Sequence, residues 1–299
     1  MSDVYIMGVD MIKFGRFPDK TVPQLGAQAA LMALDDAGLA IQDMQALYCG
    51  NLGQASAMVG QRILQEIGQT NDTPDDVVFD HFQEIAFPDQ PVGRSVLGTV
   101  DIVSAMPREA LQGYMDEHYS ASRMVFSAAG NIEHDAIVRL VETAFDALLH
   151  GGEAAGEPAR YVGGVFRQQR DLEQAHLVLG FQGISFTDPD YYPLSVLSVV
   201  LGGGMSSRLF QEVREELGLV YTIFSFTTSY LDGGLFGVYA GTGEDEAETV
   251  VPVICDILSG LANTVSDQEL KRAKAQIKAG ILMSLESTAS RCEQLARQI

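Results

Sequence analysis

The chain is poor in positive charge: 19 lysines and arginines stand against 40 aspartates and glutamates, and its 299 residues carry a net charge of −21. Such a surface repels a phosphate backbone and an anionic bilayer alike, so no nucleic acid and no membrane is expected as a partner, and a basic or polar one is. Cysteine is scarce as well. Cys49, Cys255 and Cys292 are scattered without Cys-x-x-Cys spacing, which argues against a disulfide framework or a thiolate zinc site and leaves three reduced thiols. No apolar run approaches the ~18 residues that span a bilayer. The start, "MSDVYIMGVDMIKFG", is interrupted by Asp3 and Asp10 and has no basic lead, unlike a secretory or transit peptide. The cytoplasm is the expected location.

The apolar content of 46% suffices for one large core or two ordinary ones. "VYIMGVD" reads as a buried strand, "VPQLGAQAALMALDDAGLA" as a helix with Ala27, Ala30, Leu31 and Leu34 on one face, and "MQALYCGN" as a second strand holding Cys49. This is an α/β opening. At "TPDD" the pattern changes: Thr73 is a capping hydroxyl, Pro74 the first helical residue, and Asp75 and Asp76 fill the anion-favouring first turn of a helix expected to reach Phe87. Every glutamate lies beyond residue 59.

Further along, "REALQGYMDEHY" reads as a helix, "SRMVFSAAG" as a strand, and "HDAIVRLVETAFDALLH" as a helix with Ile137, Val141, Phe145 and Leu148 on one face. "GGEAAGEPARYVGG" has a linker's composition. After it come a strand "AHLVLGFQGISF", helices near 194–201 and 206–217, strands "LVYTIFSFTTSY" and "GGLFGVYAG", and two closing helices. The last opens on a capping box, Ser266 to Glu269, and is expected to run unbroken to the chain end.

Two resemblances emerge. "VYIMGVDMIKFGR", "GAQAALMALDDAGLA" and "ALYCGNLGQASAMVGQRILQEIGQT" resemble, in order, the N-terminus of a thiolase-type acyl-CoA acetyltransferase. That chemistry needs a nucleophilic cysteine in a Cys-Ala-Ser-Gly-like turn, then a histidine and a second cysteine; these motifs are missing. From about residue 62 onward, "RILQEIGQTNDTPDDVVFDHFQEIAFPDQPVGRSVLGTV", "YSASRMVFSAAGNI", "LGGGMSSRLFQEVREELGLVYTIFSF" and "GGLFGVYAGT" resemble the pitrilysin and mitochondrial processing peptidase family, on its β-type side.

The second resemblance implies an α+β fold in two similar domains and a zinc metalloendopeptidase. There, two histidines and a glutamate hold the metal while a second glutamate deprotonates its water. A His-x-x-Glu-His helix would supply three of these groups, and the sequence lacks it: "HFQE" at His81 is followed by Ile85, "HGGE" at His150 by Ala154, and His118, His134 and His176 are isolated. The helper glutamate position falls on Val59. The third ligand position does match, at Glu66 in "ILQEIGQ", where a solvated carboxylate is the plainer reading. Arg214 in "EVREELG" and Tyr221 in "GLVYT" match the pair that reaches the substrate in the other half's active site, against the plainer readings of a salt bridge and a core tyrosine. "LGGGMSS" matches the family but lacks the lysine of a phosphate cradle.

The expected fold is thus α+β, a processing-peptidase-like two-domain fold truncated at both ends and preceded by an α/β thiolase-like segment. Residues 1–61 form that segment, 62–155 the remainder of the peptidase N-terminal domain, and 156–299 the incomplete, inactive-type C-terminal domain. The expected function is that of a metallopeptidase-family protein inactive on its own, with zinc a family cofactor not bound here. It would bind a peptide or unfolded segment, or form a homo- or heterodimer with a zinc-carrying homologue. The alternatives are a junction of two genes and an acetyltransferase.

Overall fold

Thr73 and Pro74 split the first helical stretch of the computed structural model, which describes residues 58–146, 156 and 158–298. The strands and helix expected within residues 1–57, Cys49, Leu148, His150 and most of the linker lie outside the described residues. The chain divides into two compact units, Met1–Gln65 and Glu66–Ile299, and the elements below belong to the second, apart from the start of α1. Helix α1 (Met58–Asp72) ends because the residue before a proline avoids the helical region, and Thr73 is extended. Helix α2 (Pro74–Ala86) starts with proline and carries Asp75 and Asp76 in its first turn, as expected. The cap differs from expectation: Thr73 Oγ1 donates to Gln69 O at 2.7 Å, back into α1, and accepts nothing from α2. The hydroxyl has closed the preceding helix instead.

Three helices follow: α3 (Val100–Ala105), capped by Thr99, α4 (Arg108–His118) and α5 (His134–Phe145), none of which buries a residue. The stripe expected on α5 is present, yet Ile137 and Val141 are only half-buried and Phe145 is exposed. Of the expected strand at 122–130, Ser122 and Arg123 lie in a 3-10 turn and 124–129 have no ladder partners, with Val125 and Phe126 exposed. A strand exists only through its neighbour's hydrogen bonds, and no strand flanks this run among the described residues. It is tied instead to the chain's last described helix, where Ser127 Oγ donates to Cys292 O at 2.7 Å and Cys292 Sγ to Ser127 O at 3.0 Å.

The sheet comes later and is antiparallel throughout, in the order β1-β3-β2: β1 (Ala175–Gln182), β2 (Thr222–Ser229) and β3 (Gly234–Thr242). Both outer strands are shorter than the sequence suggested; a two-residue turn at Leu231-Asp232, closed by Tyr230 N to Gly233 O at 2.8 Å, ends the β2–β3 ladder. Register puts Leu179 opposite Val238 and Ile223 opposite Ala240 on one face, and Val178 and Phe224 opposite Tyr239 on the other. The first face meets helices α6 (Tyr191–Gly202) and α7 (Ala247–Thr264) and a π-helix (Leu209–Glu216) in the main core, where Leu201, Leu209, Val213, Val238, Val250 and Ile254 are fully buried. Each such side chain contributes about 1.5–3 kcal/mol relative to exposure.

The second face meets α2. Phe79 stacks on Tyr239 and Phe224 and meets Phe226 edge-on, and Phe82 meets Phe226 edge-on. Gly180 makes room for this, since a Cβ there would run into the Phe82 ring. Two helices close the chain: α8 (Asp267–Ser284), with its capping box as expected, and α9 (Thr288–Arg297). The expected continuous helix is broken at 285–287. Ser284 Oγ turns to Ile281 O, Ser287 caps α9 by accepting from Ser290 N, and Arg291 donates to Leu285 O; such local bonds compete with the helical ladder. No single helix among the described residues is long and apolar enough to cross a membrane.

Gly180→Ala should destabilise the protein by about 1–3 kcal/mol, read from a urea midpoint, because the new methyl displaces Phe82. Adding Phe82→Leu should recover part of that loss. An unchanged midpoint for Gly180→Ala would refute the close packing of α2 on β1.

Candidate functional site

The stretch that carries Arg214 and Tyr221 begins at the glycine-rich turn. Gly203 O accepts from Gln276 Nε2 at 2.7 Å, Ser206 O from Arg272 Nη2 at 2.6 Å, and Met205 O from Gln211 Nε2 at 2.6 Å. The turn is thus bound to α8 and to the π-helix by its own carbonyls. Next, Arg208 forms a bidentate pair with Glu269, Nε to Oε1 at 2.7 Å and Nη2 to Oε2 at 3.0 Å, and also donates to Thr264 Oγ1 and Thr264 O, each at 2.6 Å. Glu269 accepts from Ser266 N at 2.8 Å and Ser266 Oγ at 2.7 Å as well. Its carboxyl is held at about 2, against 4.5 ordinarily, chiefly by the bonds from Arg208; burial opposes them and the Ser266 donors assist.

With its base fixed, the π-helix turns Leu209 and Val213 into the core and leaves Arg214 exposed. The sequence expected an ordinary helix over 206–217. Such wide turns occur mostly as short pieces inside α-helices, and frequently at functional sites. Arg214 Cζ lies 4.6 Å from the centroid of the Phe210 ring, and Arg214 has no ion pair among the described residues. Gly218, at φ +65°, closes the helix in the left-handed region, and Leu219 N donates to Val213 O at 3.0 Å. Thr242 Oγ1 then holds Leu219 O at 2.6 Å, Val220 is buried, and Tyr221 N donates to Gly241 O at 2.8 Å. The Tyr221 side chain is 59% exposed, on a backbone fixed from both sides, and is no core tyrosine.

Glu66 is half-buried on α1 beside the buried Ile67. No three His, Cys, Asp or Glu residues converge to hold a metal among the described residues. The histidines are dispersed in other contacts: His81 stacks on Phe166 at 4.2 Å, His118 lies against Tyr114, and His176 Nδ1 is 2.8 Å from Tyr239 Oη. His134 is exposed at the start of α5, His150 lies outside the described residues, and no histidine precedes His81 in the sequence. Among the described residues, no histidine or second carboxylate joins Glu66 in a zinc-like donor set.

Two cavities escaped the sequence reading. One of about 890 Å³ lies between α2, the run 164–174 and β1, lined by Val77, Phe82, Phe166 and His176 among others. A second, of about 580 Å³, opens at the start of α2 beside Asp75, Asp76, Glu173, Phe224 and Tyr239. Burial, then the negative charges of Asp75 and Asp76, push the Tyr239 hydroxyl above its usual value. The sequence signalled these carboxylates only as first-turn residues; that α2 would lie on the sheet was not legible.

Residues 105–277 match the family described as the peptidase M16 inactive domain. An uncharacterized zinc protease of Rickettsia felis is 37% identical over 238 residues, covering 79% of this chain and 58% of that protein. The chain belongs to the peptidase M16 family, that of pitrilysin and the processing peptidases. It spans 58% of that relative's length. Among solved structures, complex III2 from Candida albicans matches with a TM-score of 0.74 at 21% identity, over 80% of this chain and 60% of that one. The peptidase M16 inactive domain from Pseudomonas fluorescens matches at 0.70 and 21%, over 82% and 60%. These two likenesses bear on the fold alone. The thiolase-like resemblance rests on its sequence motifs only.

Two outcomes follow. Glu269 has a folded-state value below its unfolded one, so its contribution is complete above about pH 4.5 and is lost as pH falls toward 2. Glu269→Gln should therefore cost on the order of 2–3 kcal/mol at pH 7 and flatten the acid limb of a stability-against-pH curve; an acid limb equal to the parent's would contradict this. Titration with zinc should give no stoichiometric heat at micromolar metal. Tight binding lost on Glu66→Gln would overturn the reading of the donor set.

Proposed function

We propose that this chain is a non-catalytic member of its family that binds an extended peptide through Arg214 and Tyr221 and lends that pair to a zinc-carrying homologue. The observation that carries the reading is the exposure of both side chains on a connection whose backbone is fastened at each end, to Glu269 through Arg208 and to β3 through Tyr221 N. A guanidinium offers a planar fork of N–H donors and a phenol a single O–H, and together they suit the carbonyls or terminal carboxylate of a peptide. In a partner's active site the same donors would polarise a scissile carbonyl. Hydrolysis itself belongs to the partner's metal.

The family's own description of residues 105–277 as an inactive domain supports a binding role over a catalytic one. The net charge of −21 favours a basic peptide. The proposed division into 62–155, the remainder of the N-terminal domain, and 156–299, the inactive-type C-terminal domain, sets its boundary inside the matched stretch 105–277. Binding of a fluorescein-labelled basic peptide, followed by anisotropy, should weaken about 10–100-fold in Arg214→Ala, the loss of a charge-assisted hydrogen bond, and about 3–10-fold in Tyr221→Phe. Undiminished binding in both variants would end the proposal.

A further inference from the structure

We propose that Phe210 is a positioning residue for Arg214, holding the guanidinium plane so that its N–H edge faces a bound peptide; the inference rests on the peptide-binding reading above. Phe210 and Arg214 stand four residues apart on the π-helix, each following a fully buried residue, Leu209 and Val213. The buried pair fixes the helix's rotation, so the half-buried Phe210 and the exposed Arg214 share one flank. Cation and ring lie 4.6 Å apart, within the range for attraction to the ring face. Three carboxylates share the helix, Glu212, Glu215 and Glu216, yet none forms an ion pair with Arg214 among the described residues. A carboxylate would occupy the same N–H groups that a peptide carbonyl needs. An aromatic face does not: it attracts the charge through the π cloud and leaves the planar fork unspent. A long, otherwise mobile side chain is thereby ordered before its ligand arrives, which lowers the entropic cost of binding.

The test is a double-mutant cycle on the full chain, with a fluorescein-labelled basic peptide as probe. Phe210→Met keeps bulk but removes the ring face, and Phe210→Tyr keeps both. Phe210→Met should raise Kd about 3–5-fold and Phe210→Tyr should restore it, as expected for an exposed cation–π contact. In an Arg214→Ala background, Phe210→Met should have no further effect. Thermal unfolding of each variant identifies a folding defect; if Phe210→Met is unstable, Phe210→Leu takes its place in the cycle. An unchanged Kd for Phe210→Met beside a weakened Arg214→Ala overturns this inference alone. So does a Phe210→Met loss that persists without Arg214. An unchanged Kd for Arg214→Ala overturns this inference together with the peptide-binding reading.

Discussion

β3 is the constraint on which the described fold depends. All nine of its residues are buried, its two edges are taken by β1 and β2, and its two faces by different helices. A strand enclosed in this way fixes register on both sides, because a slip of one residue would exchange Val238 and Ala240 with Tyr239 and Gly241 between faces. One face is aliphatic and meets α6, α7 and the π-helix; the other is aromatic and meets α2. Helices α4 and α5, far from this strand in sequence, hold no fully buried residue.

The candidate site takes its position from the same strand through two connections of different chemistry. At the far end of β3, Gly241 O and Thr242 Oγ1 hold the backbone around Tyr221. At the near end of the π-helix, Arg208 and Glu269 join the helix start to the capping box of α8, so one carboxylate serves as both cap and counter-ion. Removing one partner of this partly buried pair leaves the other's hydrogen bonds unmade. The exposed arginine and tyrosine contribute little to stability themselves and depend on buried groups for their placement.

Local grammar made much of this legible. Pro74 with Asp75 and Asp76, the Ser266 to Glu269 box and the three strand runs were readable because each depends on neighbours in sequence. The failures were tertiary. "SRMVFSAAG" has strand composition, but a strand needs a partner that composition does not supply. The break at 285–287 goes with local side-chain bonds, Ser284 Oγ to Ile281 O and Ser290 N to Ser287 Oγ, that periodicity does not record. For the site, Arg214 and Tyr221 were legible as motif residues, whereas the Phe210 ring beside Arg214, and the cavities between α2 and the sheet, depend on a helix widening and a docking that no periodicity records.

Gly180 carries a wider consequence. The vacancy left by its missing side chain receives the Phe82 ring, so the strand and the helix are keyed to one another at a single point. A flat aliphatic strand would let a helix slide by a turn at small cost, since ridges and grooves recur. A keyed one permits a single longitudinal setting. That setting also determines where the first turn of α2 comes to rest, and with it the place at which two carboxylates meet the Tyr239 hydroxyl.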